Sequence, residues 1–92
     1  MNSTDYQNRG ESKYFLKQYE EAIKDFDKAI ALDPEDYVNW ELRGECKYCL
    51  KQYEEAIKDF DKAIALDCGG SDNWKSRGEC KYFLKQYEEA IK

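Results

Sequence analysis

The stretch KQYEEAIKDFDKAIALD occupies residues 17–33 and occurs again, letter for letter, at residues 51–67. Its opening, KQYEEAIK, returns at positions 85–92, so that successive copies begin at Lys17, Lys51 and Lys85 with equal spacing. An amphipathic helix cannot bury its apolar face alone, so copies at a fixed interval predict neighbouring units that stack and share a core. This stretch therefore decides the architecture of the chain.

The apolar residues of the stretch have the spacing of a helix. Tyr19, Ile23, Phe26 and Ile30 follow one another at steps of four, three and four residues, which places them on one helical face and does not fit the alternation of a strand. The sequence predicts an all-α fold of antiparallel helical hairpins, because the connections within each pair are only two or three residues long. The predicted helices span about residues 4–16, 19–32, 37–50 and 53–66. A fifth predicted helix ends at about residue 84, and a fragment of a sixth begins near residue 87.

Turn-forming residues divide the chain into repeats. Ser3 or Thr4 is the predicted cap of the first helix. Asp33 and Pro34 close the first hairpin, since proline disfavours helical geometry in the residue before it. Glycine takes over that role after the second hairpin. We expect one domain over residues 1–92, with repeats at 3–36, 37–70 and 71–92, the last incomplete.

Small and aromatic residues recur in register with the repeats. A glycine in the middle of each first helix costs about 1 kcal/mol relative to alanine, so we expect it to permit close helix packing against an alanine of the second helix. We also expect the aromatic ring four residues before each glycine to belong to the core. The glycines are Gly10, Gly44 and Gly78, the alanines are Ala22, Ala56 and Ala90, and the aromatic residues are Tyr6, Trp40 and Trp74.

The charge of the chain limits its partners. The sequence has 15 basic and 20 acidic residues and a formal net charge of −5, so it lacks the basic surface that nucleic acid requires. No apolar run approaches the roughly 20 residues of a membrane-spanning helix, and the first residues do not have the organisation of a signal peptide. We expect a cytoplasmic protein.

The four cysteines do not indicate a cofactor. Cys46 and Cys49 are three residues apart on one predicted helix, a spacing that suits chelation. However, Cys46 and Cys80 are equivalent positions of two repeats, and nothing places Cys68 near the others as a further ligand. We expect reduced thiols used for packing, with no metal and no other cofactor.

The repeated pattern resembles the tetratricopeptide repeat (TPR) family over nearly the whole chain. The resemblance rests on the length of the repeat and on an aromatic residue, a glycine and a second aromatic residue in the first helix of each pair, followed by alanine, phenylalanine and alanine in the second. One departure is that a leucine common before the glycine is replaced by arginine. We expect these arginines to form ion pairs with aspartates of the second helices. The arginines are Arg9, Arg43 and Arg77, and the candidate partners are Asp25, Asp27, Asp59 and Asp61.

The resemblance implies a right-handed superhelix whose concave face, formed by the first helix of each pair, binds a peptide or a helix of a partner protein. It implies no enzymatic activity, and the sequence has no histidine and no nucleophile with an adjacent base. Carrying the groove positions of the family onto this chain gives an acidic and aromatic surface. Such a surface favours a partner segment with basic residues and apolar anchors. The ligand-binding residues implied in this way are Gln7, Glu11, Tyr14, Phe15, Glu41, Glu45, Tyr48, Cys49, Lys75, Glu79, Tyr82 and Phe83.

Self-association is the alternative function. The chain stops inside a second helix, at Lys92, and repeat arrays normally end in a helix with a polar outer face. An uncovered apolar edge would favour end-to-end or swapped oligomers of a structural repeat unit without a dedicated ligand.

Overall fold

The computed structural model describes residues 1–66 and Gly78, and this part of the chain folds into two helical hairpins. The helices are α1 (Ser3–Phe15), α2 (Tyr19–Leu32), α3 (Tyr37–Cys49) and α4 (Tyr53–Leu66). The predicted all-α fold is confirmed. The limits predicted for α2 and α4 are those observed, and α1 and α3 each end one residue earlier than predicted.

The cap of α1 differs from the prediction. Asn2, and neither Ser3 nor Thr4, is the N-cap, and its side chain accepts a hydrogen bond of 2.9 Å from the backbone N–H of Asp5. The Asp5 carboxylate in turn accepts from the backbone N–H of Asn2 at 3.2 Å, which completes a capping box. An asparagine side chain reaches these backbone groups as well as serine does, so the helix starts one position earlier.

Each hairpin turns through a lysine in the left-handed region. Lys17 has φ 63° and Lys51 has φ 64°. In the first turn the N–H of Gln18 donates to the carbonyl of Lys13 at 2.8 Å, and the N–H of Lys17 donates to that of Tyr14 at 2.9 Å. This pattern is a Schellman motif, which ends α1 and reverses the chain into α2.

The core lies between the two helices of each hairpin and between the hairpins. Ala22 and Phe26 of α2 pack with Cys46 of α3 in one cluster, and Ala56 and Phe60 form the equivalent cluster in the second hairpin. All five residues are fully buried. The repeated stretch therefore supplies the central residues of both clusters.

The glycines of α1 and α3 lie directly against phenylalanine rings, which the sequence did not predict, and their packing against an alanine of the second helix stays a prediction. A Cβ atom added to Gly10 would lie 2.8 Å from Cε1 of Phe26, and one added to Gly44 would lie 2.8 Å from Cε1 of Phe60. Glycine is needed at these positions because a fully buried ring occupies the space of a side chain. Gly78 is exposed, and no heavy atom of the described residues lies within 4 Å of the equivalent position.

A buried amide departs from this apolar pattern. Asn39 of α3 is fully buried, and neither its Nδ2 nor its Oδ1 has a hydrogen-bond partner in the described part of the chain. A buried polar group without a partner costs about 1–3 kcal/mol. The packing of α3 is therefore not optimised for stability at this position.

Candidate functional site

Ion pairs join the first helix of each hairpin to the second. Arg9 donates to both carboxylate oxygens of Asp25, from Nη2 at 2.7 Å and from Nε at 3.0 Å, and Lys13 approaches the same carboxylate at 3.0 Å. Asp25 is 2% exposed, so its charge is buried and compensated by two cations. The hydrogen bonds from Arg9 hold the pKa of Asp25 below its usual range, against the opposing effect of burial.

Arg43 repeats this arrangement and extends it to the neighbouring hairpin. It donates to Asp59 of α4 from Nη2 and Nε, at 2.7 and 2.9 Å, and from Nη1 to Asp27 of α2 at 2.7 Å. Lys47 completes the site at 3.0 Å from Asp59. The predicted pairing of Arg9 and Arg43 with aspartates is confirmed, and Arg77 lies outside the described residues.

The aromatic residues near these arginines are half-buried, and the prediction that they belong to the core is wrong for Tyr6 and Trp40. The guanidinium carbon of Arg9 lies 5.5 Å from the ring centroid of Tyr6, and that of Arg43 lies 4.9 Å from that of Trp40. The indole N–H of Trp40 donates to the carbonyl of Pro34 at 2.9 Å. Both rings therefore support the ion pairs through cation–π contacts, and Trp74 lies outside the described residues.

These ion pairs place the basic residues of α1 and α3 beside the second helices, on a different side from the acidic residues predicted to bind a ligand. Arg9 and Lys13 are the basic residues of α1, Arg43 and Lys47 are those of α3, and all four pair with aspartates of α2 or α4. The remaining predicted binding residues of these two helices are acidic, polar or apolar. We call them the α1–α3 face, which comprises Gln7, Glu11, Tyr14, Phe15, Glu41, Glu45, Tyr48 and Cys49.

The members of the α1–α3 face keep access to solvent. Phe15 and Cys49 are exposed, and the other six residues are half-buried. Phe15 is 76% exposed and the adjacent Leu16 is 68% exposed, so the end of α1 presents an apolar surface. The predicted binding residues Lys75, Glu79, Tyr82 and Phe83 lie outside the described residues.

Tyr14 and Glu45 bring the two halves of the α1–α3 face into direct contact. The Tyr14 hydroxyl donates to Oε2 of Glu45 at 3.3 Å, across the boundary between the hairpins. Burial and the Glu45 carboxylate raise the pKa of Tyr14 above its usual value. The phenol therefore remains protonated, and a hydrogen-bond donor, throughout the neutral pH range.

Tyr19 is a neighbour of the face that sequence reasoning did not include. Its ring centroid lies 5.9 Å from that of Tyr14, and the interaction with the nearby Cys49 thiol, followed by burial, raises the pKa of Tyr19. An open cleft of about 310 Å³ lies beside it. Because Tyr19 belongs to the repeated apolar stripe, its spacing pointed to the core, and no sequence signal distinguished its exposed edge. The cleft is lined by Lys17, Gln18, Tyr19, Glu20, Glu21 and Leu50.

The two described cysteines have different surroundings. Cys46 is buried, and burial raises the pKa of its thiol to about 12, whereas Cys49 is exposed. Among the described residues there is no group of three or more histidine, cysteine, aspartate or glutamate side chains placed to hold a metal ion. None of the described helices has the length and apolar character needed to cross a bilayer.

The fold defines a class of protein, in which helical hairpins stack and the first helices keep one face exposed. Comparison with known families identifies the class more closely. Residues 15–92 match the family described as anaphase-promoting complex, cyclosome, subunit 3, which is of TPR type. The chain belongs to this tetratricopeptide repeat family.

Solved TPR domains have the same fold. The second TPR domain of Spaghetti (RPAP3), bound to the HSP90 peptide SRMEEVD, is 30% identical, with a TM-score of 0.89 over 99% of this chain and 84% of that one. The second TPR domain of human RPAP3, in complex with the HSP70 peptide SGPTIEEVD, is 29% identical, with a TM-score of 0.83 over 87% and 67% of the two chains.

The TPR domain of Arabidopsis OM64 is 26% identical, with a TM-score of 0.86 over 89% of this chain and 68% of that one. A search of curated protein sequences gave no significant match. Proteins of this family and fold are generally interaction modules without enzymatic activity, so these likenesses support a protein-binding module.

Proposed function

We propose that this protein binds, on the α1–α3 face, a partner segment that carries lysine or arginine beside apolar residues. The observation that carries the proposal is the separation of charge in the first helices. The cations of α1 and α3 pair with aspartates of the second helices. Glu11, Glu41 and Glu45 place three carboxylates on the face, and we expect their negative potential to attract cationic side chains.

The end of α1 offers an apolar surface for the apolar residues of the ligand. Phe15 and Leu16 are largely exposed, and the ring centroid of Phe15 lies 5.4 Å from that of Tyr14. Exposed aromatic residues next to carboxylates offer both an apolar contact and a surface for a ligand cation. A short segment with alternating basic and apolar residues satisfies both features.

The RPAP3 complexes support peptide binding as the general function, and they also provide a sharp comparison. The peptide bound to the second TPR domain of Spaghetti, SRMEEVD, carries three acidic side chains. On the face of this protein such a peptide would meet Glu11 and Glu45, and like charges brought together reduce affinity. We expect this chain to disfavour acidic tails and to bind the charge-reversed peptide SRMKKVK.

The test is a titration of fluorescein-labelled SRMEEVD and SRMKKVK, followed by fluorescence anisotropy at low and at physiological salt. The two peptides share their apolar residues and differ in the sign of three charges. We expect tighter binding of SRMKKVK, with a difference that decreases as salt screens it over about 8–10 Å. Equal affinity, or tighter binding of SRMEEVD, would contradict the proposal.

Matched variants separate the face from the overall negative charge. Glu11→Gln with Glu45→Gln removes two charges from the α1–α3 face, at equivalent positions of the two repeats. Glu35→Gln with Glu54→Gln removes two exposed charges that lie outside the α1–α3 face and outside the cleft beside Tyr19. The first pair is expected to weaken binding of SRMKKVK about threefold to tenfold, as for two partly exposed charge contacts, and the second pair to leave it nearly unchanged.

Self-association remains the alternative proposal, and the outer side of α1 does not favour it. Leu42 and Cys46 of α3 pack against the preceding hairpin, whereas Asn8 and Ser12, the equivalent residues of α1, are exposed and polar. Static light scattering over a range of concentrations, run on the titrated samples, distinguishes the two functions. A salt-insensitive dimer that binds neither peptide would favour association over peptide binding.

A further inference from the structure

A hydrogen bond connects the two carboxylate-bearing helices of the α1–α3 face. Tyr14 of α1 donates to Glu45 of α3 at 3.3 Å. The Tyr14 ring is held on two sides, because its centroid lies 5.4 Å from that of Phe15 and 5.9 Å from that of Tyr19. A phenol fixed in this way restricts the position of the carboxylate that accepts its hydrogen bond.

The Tyr14–Glu45 pair lies at a partly buried position of the face. Tyr14 and Glu45 are both half-buried. The phenol supplies a hydrogen bond without adding a positive charge, so this contact orients the carboxylate without neutralising it. An ammonium or guanidinium group that approaches Glu45 therefore meets a negative charge at a defined place.

The sequence places the same two residue types one repeat further on. Tyr48 and Glu79 have the same separation along the chain as Tyr14 and Glu45. The sequence therefore repeats the residue types of this pair, and Glu79 lies outside the described residues. The residues next to the tyrosines differ between repeats, with Phe15 in the first and Cys49 in the second.

We propose that Tyr14 positions the Glu45 carboxylate to receive a lysine or arginine side chain of the bound segment. Tyr14 thereby makes the face select a cation over an uncharged side chain with the same carbon chain. This inference rests on the proposed peptide-binding function and assigns its charge selectivity to one phenol–carboxylate pair. Tyr14 is a positioning residue here, because it acts through Glu45.

The test measures discrimination as well as affinity. Each lysine of SRMKKVK is replaced in turn by norleucine, which keeps the four-carbon side chain and removes the ammonium group. For the lysine that contacts Glu45, we expect the unmodified protein to prefer lysine about fivefold, the range of a partly exposed charge pair. Tyr14→Phe should reduce this preference, the ratio of the two affinities, to about twofold or less.

The first control removes the same number of atoms as Tyr14→Phe, at a different place. Tyr6→Phe also removes one phenolic oxygen, but from the ring beneath Arg9 and Lys28, away from the acidic residues of the face, and it should leave the preference intact. Glu45→Gln should abolish the preference, and adding Tyr14→Phe to Glu45→Gln should then have no further effect on it. Thermal unfolding of each variant shows whether the hairpins remain folded.

The outcomes are distinguishable. If the unmodified protein binds SRMKKVK but Tyr14→Phe lowers the affinity for the lysine and norleucine peptides equally, Tyr14 has a structural role and the inference is overturned. The same conclusion follows if the preference for lysine survives in Tyr14→Phe at every position. If the unmodified protein binds neither SRMKKVK nor SRMEEVD, the proposed function itself fails, and this inference fails with it.

Discussion

Gly44 of α3 lies directly against the ring of Phe60 in α4, so that a Cβ atom on Gly44 would be 2.8 Å from Cε1 of Phe60 and 3.0 Å from Cδ1. Real Cβ atoms do not approach carbon this closely, and Phe60 is fully buried and cannot move into solvent. The buried ring of Phe60 therefore requires a glycine at position 44.

The first prediction compares two equivalent glycines. Gly44→Ala should destabilise the protein by about 1–3 kcal/mol, the usual cost of overpacking. Gly78→Ala should be neutral or stabilise it by up to about 1 kcal/mol, because alanine favours helix and the added atom meets none of the described residues within 4 Å. Urea unfolding followed by circular dichroism measures both. Equal destabilisation by the two substitutions would contradict this account of Gly44.

The second prediction concerns the arginine that joins the hairpins. Arg43 contacts Asp59 in its own hairpin and Asp27 in the preceding one, and lysine has no planar fork with which to bridge them. Arg43→Lys should therefore destabilise the protein by about 1–3 kcal/mol, since it weakens the compensation of the buried Asp59 charge. Arg9→Lys should have a smaller effect, because the ion pair of Arg9 with Asp25 lies within one hairpin.

A double-mutant cycle isolates the contact between hairpins. Asp27 has a side chain that is 52% exposed, so Asp27→Asn alone should cost only about 0–1 kcal/mol. In the Arg43→Lys background it should cost less, because the bridge is already lost. Full additivity of the two substitutions in urea unfolding would show that Arg43 does not couple the hairpins.

The sequence was sufficient for the helical fold and for the pairing of Arg9 and Arg43 with aspartates of the second helices. It was not sufficient where a position depends on its surroundings in three dimensions. The limits of α2 and α4 followed from apolar spacing alone. Apolar spacing could not show which residue lies against Gly10, because Ala22 and Phe26 are one turn apart on the same helical face and both are buried. Apolar spacing also could not predict the partial exposure of Trp40, since its position depends on stacking with Arg43.

The role of the α1–α3 face in binding stays a prediction, and the structure adds only the exposure and the contacts of its residues. Family positions gave its residues, and the described part of the chain shows Phe15 and Cys49 exposed and the other members of α1 and α3 half-buried. The contact between Tyr14 and Glu45 joins two different hairpins, and periodicity within a helix carries no information about such a pair. The same limit applies to Tyr19, whose neighbour Cys49 belongs to the next hairpin.

The third prediction is a dependence of stability on pH through Asp25. Its hydrogen bonds from Arg9, with Lys13 nearby, lower the pKa of Asp25 in the folded protein, although burial opposes the shift. The stabilisation is fully present above the unfolded pKa of about 3.9 and is lost as the pH falls through the lower folded pKa. The melting temperature of Asp25→Asn should therefore lie below that of the unmodified protein at pH 7 and at pH 5, and the difference should shrink below about pH 4.

The control for this prediction is the difference in melting temperature between the unmodified protein and Asp25→Asn, followed over pH. Other carboxylates are also protonated in acid, so both proteins become less stable, and only the gap between their melting temperatures reports on Asp25. A gap that stays constant from pH 7 to the lowest pH at which both proteins fold would show that Asp25 has the same pKa in the folded and unfolded chain.

The fourth prediction concerns the strained turn residue. Lys17 has φ 63° and is exposed, and a residue with a Cβ atom is disfavoured in this region by about 1 kcal/mol or more. Lys17→Gly should stabilise the protein by about 0.5–1 kcal/mol, since glycine adopts this conformation freely. Gln18→Gly is the matched control, because Gln18 has φ −91° and should only lose stability. Stabilisation by both substitutions, or by neither, in urea unfolding would contradict the role of the left-handed turn.

The fifth prediction distinguishes the two cysteines of α3. Alkylation requires an accessible thiolate. Cys49 is exposed, whereas Cys46 is fully buried with a pKa raised to about 12. Iodoacetamide at pH 8 should therefore modify Cys49 within minutes and leave Cys46 unmodified in the folded protein. Both should react in concentrated urea, where burial is lost.

Trypsin makes this measurement direct. Lys47 separates the two cysteines, so cleavage gives the peptides GECK and YCLK, each with one thiol. Residues 78–81 also give the peptide GECK, so the experiment uses the Cys80→Ser variant, in which that peptide becomes GESK. Mass spectrometry of the digest then reports the modified fractions of Cys46 and Cys49 separately. Equal modification in the folded protein would mean that α3 opens on the timescale of labelling. In that case the Cys46 cluster with Ala22 and Phe26 would not hold the two hairpins together as the structure has it.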